Sequence, residues 1–371
     1  MLLPFRLMVG LFGLITLLIT VGSVPRYWSD APGWLAASRG ASVNYDIYRL
    51  LPDGRGVHPL TGQTRNELFP AWSPDGRALV FSSDRNGSLD LIKHNLRDGH
   101  ETPLTGIPGA DQAAVWSPDG QQIAYVTDHL GNHDIYVIPA AGGLYESGNV
   151  SPRVGMHRAQ RLTAHPGHDD SPAWSPDGQW IAFAGVRSTD LATMYGVPVD
   201  VTTAATITGQ YDLYRVRADG SGEEIRLTDS PGNDTRPTWS PDGQWIAFTS
   251  DRDGDRDIYR LRVADGVVEQ LTDSPFVDIS PTWSPDGQWI VFVSDRRGSY
   301  DLYRMRPDGS QKERITTTAE HEKTPVWGPP VSGRFFAGLI LAIGLLCLAT
   351  GVSPRRIRQR RPRWPFTKSL T

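Results

Sequence analysis

Short stretches of alternating apolar and polar residues, separated by tight turns, recur along most of the chain. In the clearest unit Pro-x-Trp-Ser leads into a Pro-Asp-Gly turn at 241–243, followed by alternating segments at 245–249 and 257–261 and by Leu-Thr at 271–272. Alternation with a period of two is typical of half-buried strands. Pro-Asp-Gly suits a turn because proline fixes φ at the first corner and glycine accepts a positive φ. Each unit is therefore predicted to contain four short strands.

A tryptophan at a fixed place marks each unit, and its spacing counts the units. Successive marks lie 44, 44, 58, 65, 44 and 44 residues apart. The marks are Trp28, Trp72, Trp116, Trp174, Trp239, Trp283 and Trp327. Four strands repeated about every 40 residues are typical of propeller blades. Only an opening strand remains at the last mark, so we expect it to complete the first blade and close the ring. We predict an all-β fold, a six-bladed β-propeller over residues 26–330.

Two uncharged apolar runs of 18 residues, at 7–24 and 335–352, flank the repeats. About 20 such residues cross a bilayer as a helix, so we expect a spanning helix on each side of the propeller. For the first run a cleaved secretory signal stays an alternative, because small residues at 21–23 offer a cleavage site. The predicted organisation is an N-terminal transmembrane anchor or signal peptide at 1–25, a C-terminal transmembrane helix at 331–353 and a basic tail at 354–371.

Charge is unevenly distributed along the chain, whose net charge is -4. Seven cations crowd the tail: Arg355, Arg356, Arg358, Arg360, Arg361, Arg363 and Lys368. Such a flank marks the cytoplasmic side of a membrane, and a stop-transfer role is favoured over binding of anionic lipid. Both termini are therefore predicted to be cytoplasmic and the propeller extracytoplasmic at the cell membrane. Nucleic-acid binding by a basic face has no support from the net charge, and a single cysteine, Cys347, excludes an intrachain disulfide.

An acidic residue stands five positions before the marking tryptophan in six units. These six residues, here called the ring acids, are Glu67, Asp111, Asp169, Asp234, Asp278 and Glu322. A closed ring would place them around one mouth of the central channel. Their functional interpretation is an electronegative funnel that binds a basic peptide segment, an amine or a cation. The alternative is structural: each carboxylate accepts hydrogen bonds from the neighbouring loop and holds blades together.

Other repeated acids are interpreted as structural. A second column precedes the third strand of every unit and is assigned to turn geometry: Asp46, Asp90, Asp134, Asp212, Asp257 and Asp301. The Asp-Arg pairs at 84–85, 251–252 and 295–296 are expected to make contacts between blades. Residues 251–257 resemble part of a calcium loop, but Arg262 occupies the place of its bidentate glutamate. His165, His168 and Asp169 are expected to be solvated rather than metal-bound, so neither a metal nor a cofactor is predicted.

Two insertions break the repeat, at about 140–159 and 188–210. The first falls between the third and fourth strands of its unit, and the second between the second and third strands. In a propeller these connections emerge on opposite faces, which puts the second insertion on the face of the ring acids. A flap over the channel mouth and a tolerated surface loop are both compatible with its composition.

The repeat Pro-x-Trp-Ser-Pro-Asp-Gly-x-x-Ile-Ala-Phe, followed by Asp-Arg, Asp-Ile-Tyr and Leu-Thr, closely resembles the TolB-type β-propeller repeat. That repeat is related to WD-like propellers and to the propeller of the prolyl oligopeptidase family. The resemblance covers about residues 28–328. TolB has an N-terminal α/β domain, which does not fit between Val24 and Trp28, and is itself soluble in the periplasm. The chain thus looks like a membrane-tethered relative.

The predicted function is non-enzymatic binding of a protein or peptide partner on the channel face. The alternative is hydrolase or glycan-processing activity related to peptidase-associated propellers. A hydrolase of that family needs a further domain with a Gly-x-Ser-x-Gly elbow, and this pentapeptide does not occur in the sequence. No catalytic residue is therefore assigned, and the sequence leaves the oligomeric state open.

Overall fold

The computed structural model describes residues 33–41, 44–62, 65–106, 109–142, 159–187 and 210–329, where all regular secondary structure is β-strand. The strands are β1 (Leu35–Ala41), β2 (Asn44–Leu50), β3 (His58–Pro59), β4 (Glu67–Trp72), β5 (Ala78–Ser83), β6 (Asp90–Asn95), β7 (Glu101–Pro103), β8 (Asp111–Trp116), β9 (Gln122–Thr127), β10 (Asp134–Pro139), β11 (Gln160–Arg161), β12 (Asp169–Trp174), β13 (Trp180–Val186), β14 (Tyr211–Arg217), β15 (Ile225–Arg226), β16 (Asp234–Trp239), β17 (Trp245–Ser250), β18 (Asp257–Arg262), β19 (Val268–Gln270), β20 (Asp278–Trp283), β21 (Ile290–Ser294), β22 (Asp301–Met305), β23 (Glu313–Arg314) and β24 (His321–Trp327).

The strands form six antiparallel sheets of four strands each, so the prediction of six blades is confirmed. Blades 2 to 6 use consecutive strands: β4–β7, β8–β11, β12–β15, β16–β19 and β20–β23. Blade 1 has the order β24-β1-β2-β3, with Leu35 opposite Trp327 and Gly40 opposite His321. The last strand therefore closes the ring through blade 1, as predicted. Through β24, blade 1 gains the same four strands as the other five blades.

The Ser-Pro-Asp-Gly segment is a hydrogen-bonded turn between the first and second strands of a blade. In blade 6 the buried Ser284 hydroxyl donates to Asp286 Oδ1 at 2.5 Å and accepts from the Trp289 N–H at 2.9 Å. Gly287 has a φ of 68°, which favours glycine because a Cβ crowds the backbone there. Serines 73, 117, 175 and 240 repeat both bonds in their blades. The Ser-Pro-Asp-Gly motif, repeated from blade to blade, therefore has a structural role.

The Leu-Thr motif attaches the fourth strand of a blade to the third. Thr272 Oγ1 accepts the backbone N–H of Ile258 at 2.9 Å. Equivalent bonds come from threonines 61, 105, 163, 228 and 316. Each hydroxyl satisfies an N–H that would otherwise be left unpaired where the short fourth strand ends.

The hydrophobic core lies between neighbouring blades. One cluster joins Val126 and Ile135 of blade 3 to Ile181 and Phe183 of blade 4. Phe183 is fully buried and stacks on Tyr214, with ring centroids 5.9 Å apart. Burying such a side chain contributes about 1.5–3 kcal/mol, and similar clusters recur from blade to blade, so neighbouring blades stabilise one another.

Every innermost strand contains a β-bulge two residues after its ring acid. The pairing register of β4 shifts between Leu68 and Ala71, and the same irregularity recurs in the other innermost strands. The bulge residues have φ between 48° and 56° and are Phe69, Ala113, Ser171, Arg236, Ser280 and Thr324. Positive φ is uncommon for residues other than glycine. A bulge redirects the side chain of its extra residue.

Several predictions fall outside the described residues: the apolar runs at 7–24 and 335–352, the basic tail at 354–371, and most of both insertions. Among the residues that are described, no helix is long and apolar enough to cross a membrane. The flanking helices and the domain bounds stay predictions.

Candidate functional site

The ring acids lie at the start of the innermost strands, and their carboxylates are buried in the protein. Exposure is 0% for five of them and 2% for Glu322. In five blades an arginine pairs with the ring acid at 2.5 to 2.9 Å. The pairs are Arg39–Glu322, Arg85–Glu67, Arg187–Asp169, Arg252–Asp234 and Arg296–Asp278. Except in blade 1, the arginine stands eighteen residues after the acid.

Blade 3 departs from this arrangement, because His129 stands eighteen residues after Asp111. Among the described residues no arginine pairs with Asp111, and neither carboxylate oxygen accepts a hydrogen bond of regular geometry. Burial raises its pKa from 3.8 to about 6, although the nearby Thr105 and Thr127 hydroxyls lower it in part. The ionised form of Asp111 is thus disfavoured in the folded protein.

The Asp-Arg pairs act within a blade, so the expectation of contacts between blades is wrong. The arginine follows the second strand and the ring acid begins the first strand, and in an antiparallel pair these two ends are adjacent. The aspartate instead accepts a backbone N–H of the incoming loop: Asp84 from Asn66 at 2.9 Å and Asp295 from Val277 at 2.9 Å. Both members of the pair therefore organise the loop that leads into the innermost strand.

Four acids of the second column bind the fourth strand of their blade or the residues at its end, rather than shaping a turn alone. Asp134, Asp212 and Asp301 pair with fourth-strand arginines at 2.6 to 2.7 Å. In the hairpin at 251–257, Asp253 accepts from the Tyr259 hydroxyl and Asp257 from Thr272, so the carboxylates do not converge. Across the described parts of the chain, no three His, Cys, Asp or Glu side chains are placed to hold a metal ion.

The bulge residues line the central channel. A cavity of about 600 Å³, here called the channel cavity, is bounded by all six bulge residues and by the prolines that follow five of them. A second cavity of about 470 Å³, the mouth cavity, shares Phe69, Arg236, Ile279, Ser280 and Thr324 with it and extends to Tyr45 and Tyr300. The mouth cavity lies on the acid face, the face where the innermost strands begin. No ring acid lines either cavity.

The charged groups that do line the cavities were not identified as site residues from the sequence. Arg236, Arg256, Asp170 and Asp251 line the channel cavity, and Lys323 lines the mouth cavity with Arg236. The sequence contained a signal for Arg236, which stands two residues after a ring acid in its unit. The signal was missed because side chains of an unbroken strand alternate, and the bulge changes which residues face the channel.

Asp170 and His133 form a polar pair beside the channel. His133 Nδ1 lies 3.6 Å from an Asp170 oxygen, and its backbone N–H donates to His168 Nδ1 at 3.2 Å. The contact with Asp170 raises the pKa of His133. Burial alone would raise the pKa of Asp170, but the close contact and charge of His133 lower it overall. A protonated His133 therefore neutralises the acid that faces the cavity.

Six four-stranded blades closed by the last strand around a lined channel define a six-bladed β-propeller. The family model described as TolB beta propeller domain matches residues 60–153, 198–272 and 253–337. The chain belongs to this family, as its repeat indicated.

Relatives match parts of the chain. An uncharacterized protein of Agrobacterium fabrum is 34% identical over 211 residues, which cover 55% of this chain and 58% of that protein. The Tol-Pal system protein TolB of Bordetella pertussis is 33% identical over 125 residues, 26% of this chain and 27% of TolB. The chain thus spans little more than half of the first relative and about a quarter of the second. The crystal structure of TolB from Acinetobacter baumannii has a TM-score of 0.64 at 23% identity, covers 81% of this chain and 67% of that one, and shows the shared fold.

Proposed function

We propose that this protein binds an extended segment of a protein partner in the central channel, on the acid face, without catalysing a reaction. The observation that carries the proposal is the pair of connected cavities lined by the bulge residues. Their size lies in the range of about 300–1,000 Å³ typical of small-ligand sites, which suits a few residues of an extended chain. The relative from Bordetella is named a Tol-Pal system protein, and membership of a system of proteins supports a protein partner here.

The lining is not six-fold symmetric, which favours a specific occupant. At equivalent places the blades present Phe69, Ala113, Ser171, Arg236, Ser280 and Thr324. An aromatic side chain, a guanidinium and two serines offer packing and hydrogen bonding to different parts of one ligand. The bulges also depart from favourable backbone geometry in each blade, at about 1–3 kcal/mol per residue, and such outliers motivate a functional role for the residues that carry them.

We further propose that the flanking apolar runs hold the propeller at a membrane, extracytoplasmic and with both termini inside. The described chain leaves the propeller at residues 33 and 329, beside each other on the turn face, where the Ser-Pro-Asp-Gly turns lie. The Gly328 N–H donates to the Trp34 carbonyl at 2.7 Å. Residues 33 and 329 therefore lie on one face of the propeller, which supports attachment to one membrane. A reporter fused after Thr371 should be active only in the cytoplasm, and activity only outside the cell would overturn this topology.

Site-specific cross-linking tests the binding proposal in the full chain in its membrane. A photoreactive amino acid is placed at Phe69, in the channel, and in a control at Val267, which is exposed on the turn face. We expect a discrete covalent adduct with another polypeptide at position 69 and none at 267. Equal labelling at both positions, or no adduct at 69, would contradict channel binding.

A contribution of the ring acids to binding also stays a prediction. The structural alternative expects hydrogen bonds from the neighbouring loop that hold blades together, whereas five ring acids pair with arginines of their own blade. Replacing one pair by amides, Asp278→Asn with Arg296→Gln, keeps hydrogen-bonding groups and removes both charges. If the ring acids bind the partner, the adduct at position 69 should weaken at unchanged protein level. An unchanged adduct would assign the pair to structure.

A further inference from the structure

The cations that line the cavities lack carboxylate partners. Among the described residues no carboxylate oxygen lies within 4.0 Å of a charged nitrogen of Arg236, Arg256 or Lys323, whereas the arginines at the ring acids are paired. The lysine ammonium instead lies over the ring of Tyr45, 4.6 Å from its centroid. These three cations therefore retain capacity for an anion.

The acids that share the channel cavity are already engaged. Asp170 accepts the Ser171 N–H at 2.6 Å and lies against His133. Asp251 accepts the Asn233 backbone N–H at 2.5 Å. Neutral N–H donors stabilise these carboxylates without cancelling their charge, and Asp170 also interacts electrostatically with Arg236. The three cations still outnumber the two acids that line the cavities, so the lining is positive overall.

Arg236 is the best placed of the cations. Its bulge, with φ of 54°, sets it where the channel cavity and the mouth cavity meet. Among the described residues its side chain makes a single hydrogen bond, from Nη1 to Ser280 Oγ at 2.9 Å. Burial lowers the pKa of Arg236, but a guanidinium stays charged in proteins. The charge of Asp170 acts on Arg236 and raises its pKa in part, but Asp170 makes no ion pair with it within 4.0 Å. A partly buried charge without a close ion pair is unfavourable, so an incoming anion gains on binding.

We infer that the channel recognises an Asp or Glu side chain of the partner segment through Arg236. The planar guanidinium matches two carboxylate oxygens. Ser280 accepts from Arg236 through its oxygen, which leaves its own O–H to donate to the same carboxylate. Blade 2 lies opposite blade 5 in the ring, so Phe69 faces Arg236 and packs against an apolar residue beside the acid. The inference rests on the proposed function and replaces the basic peptide expected from the ring acids.

The test uses the full chain in nanodiscs and a phage-displayed library of random dodecapeptides. The variant is Arg236→Ser, since blades 4 and 6 carry serine at this bulge position at φ of 55° and 56°. The control is Arg97→Gln, an exposed arginine on the turn face. We expect the wild type and the control to enrich Asp or Glu at one peptide position, and Arg236→Ser to lose that enrichment.

A double-mutant cycle then assigns the contact. Selected peptides are synthesised with the enriched acid or its amide, and Kd is measured by fluorescence anisotropy. The amide should bind the wild type about 10- to 100-fold more weakly, as expected for a charge-assisted hydrogen bond, and bind Arg236→Ser within about two-fold of the acid. Equal penalties in both proteins, or enrichment of Lys and Arg, would overturn the inference while leaving peptide binding intact. No enriched peptide at all would contradict the proposed function, and the inference with it.

Discussion

Two ring acids that occupy equivalent places are expected to respond in opposite directions to the same substitution. Asp278 is fully buried and paired with Arg296 through two hydrogen bonds of 2.8 and 2.7 Å. Asp111 is equally buried without an arginine partner among the described residues. Asparagine is nearly isosteric with aspartate, so each change removes a charge and little volume.

The magnitudes follow from these environments. The pKa of Asp111 is raised from 3.8 to about 6, and about two pH units correspond to about 3 kcal/mol at 1.36 kcal/mol per unit. Because the folded pKa is the higher one, this contribution to stability is fully present below about pH 4 and is lost as pH rises through 6. Asp111→Asn should therefore raise the free energy of unfolding by about 1–3 kcal/mol at pH 8. Asp278→Asn should lower it by about 2–4 kcal/mol, since Arg296 loses its partner while only 20% of its side chain is exposed.

The assay is urea unfolding of the full chain in a mild detergent, followed by tryptophan fluorescence at pH 5 and pH 8. The stability of Asp111→Asn relative to wild type should be greater at pH 8 than at pH 5. Asp278→Asn should be less stable than wild type at both pH values. If Asp111→Asn is instead destabilised at pH 8 to the extent of Asp278→Asn, then Asp111 carries an interaction as strong as the arginine pairs, and the reasoning from burial is refuted.

Three further predictions use the same unfolding assay. His133 has a raised pKa and Asp170 a lowered one. Their mutual stabilisation is therefore present below the usual histidine pKa, about 6.5, and above that of aspartate, about 4. His133→Gln should lose most stability between these two pH values, and a loss independent of pH would exclude the ion pair. Ser284→Ala removes both turn hydrogen bonds of a buried hydroxyl and should lower the free energy of unfolding by about 1–3 kcal/mol. The control Ser310→Ala, at an exposed position, should change it by no more than about 0.5 kcal/mol. Equal effects would show that the turn hydrogen bonds do not stabilise the fold. Phe248→Ala empties a fully buried inter-blade position and should cost about 3–5 kcal/mol; a loss below about 1 kcal/mol would mean that the blades repack around the cavity.

The repeat made the fold predictable at the level of blades. Trp spacing gave six units, and the lone opening strand at Trp327 gave the closure through blade 1. The number of blades and the closure could be predicted because each unit repeats one sequence pattern of strand, turn and strand. A four-stranded blade buries its faces only against neighbouring blades. The partners of the ring acids were not predicted, since Arg85 and Glu67 meet only through the antiparallel pairing of β4 with β5.

The sequence alone determined the strands, the turns, the number of blades and the position of a carboxylate at the head of each innermost strand. The tertiary structure decided which of those groups are available to a ligand. Antiparallel strand pairing places five of the six buried ring acids against arginines of the same blade, and the bulges turn Arg236 and its counterparts toward the channel. A repeat pattern records which residues recur, whereas exposure depends on how neighbouring strands and blades enclose them, and a one-residue bulge changes the face that a side chain occupies.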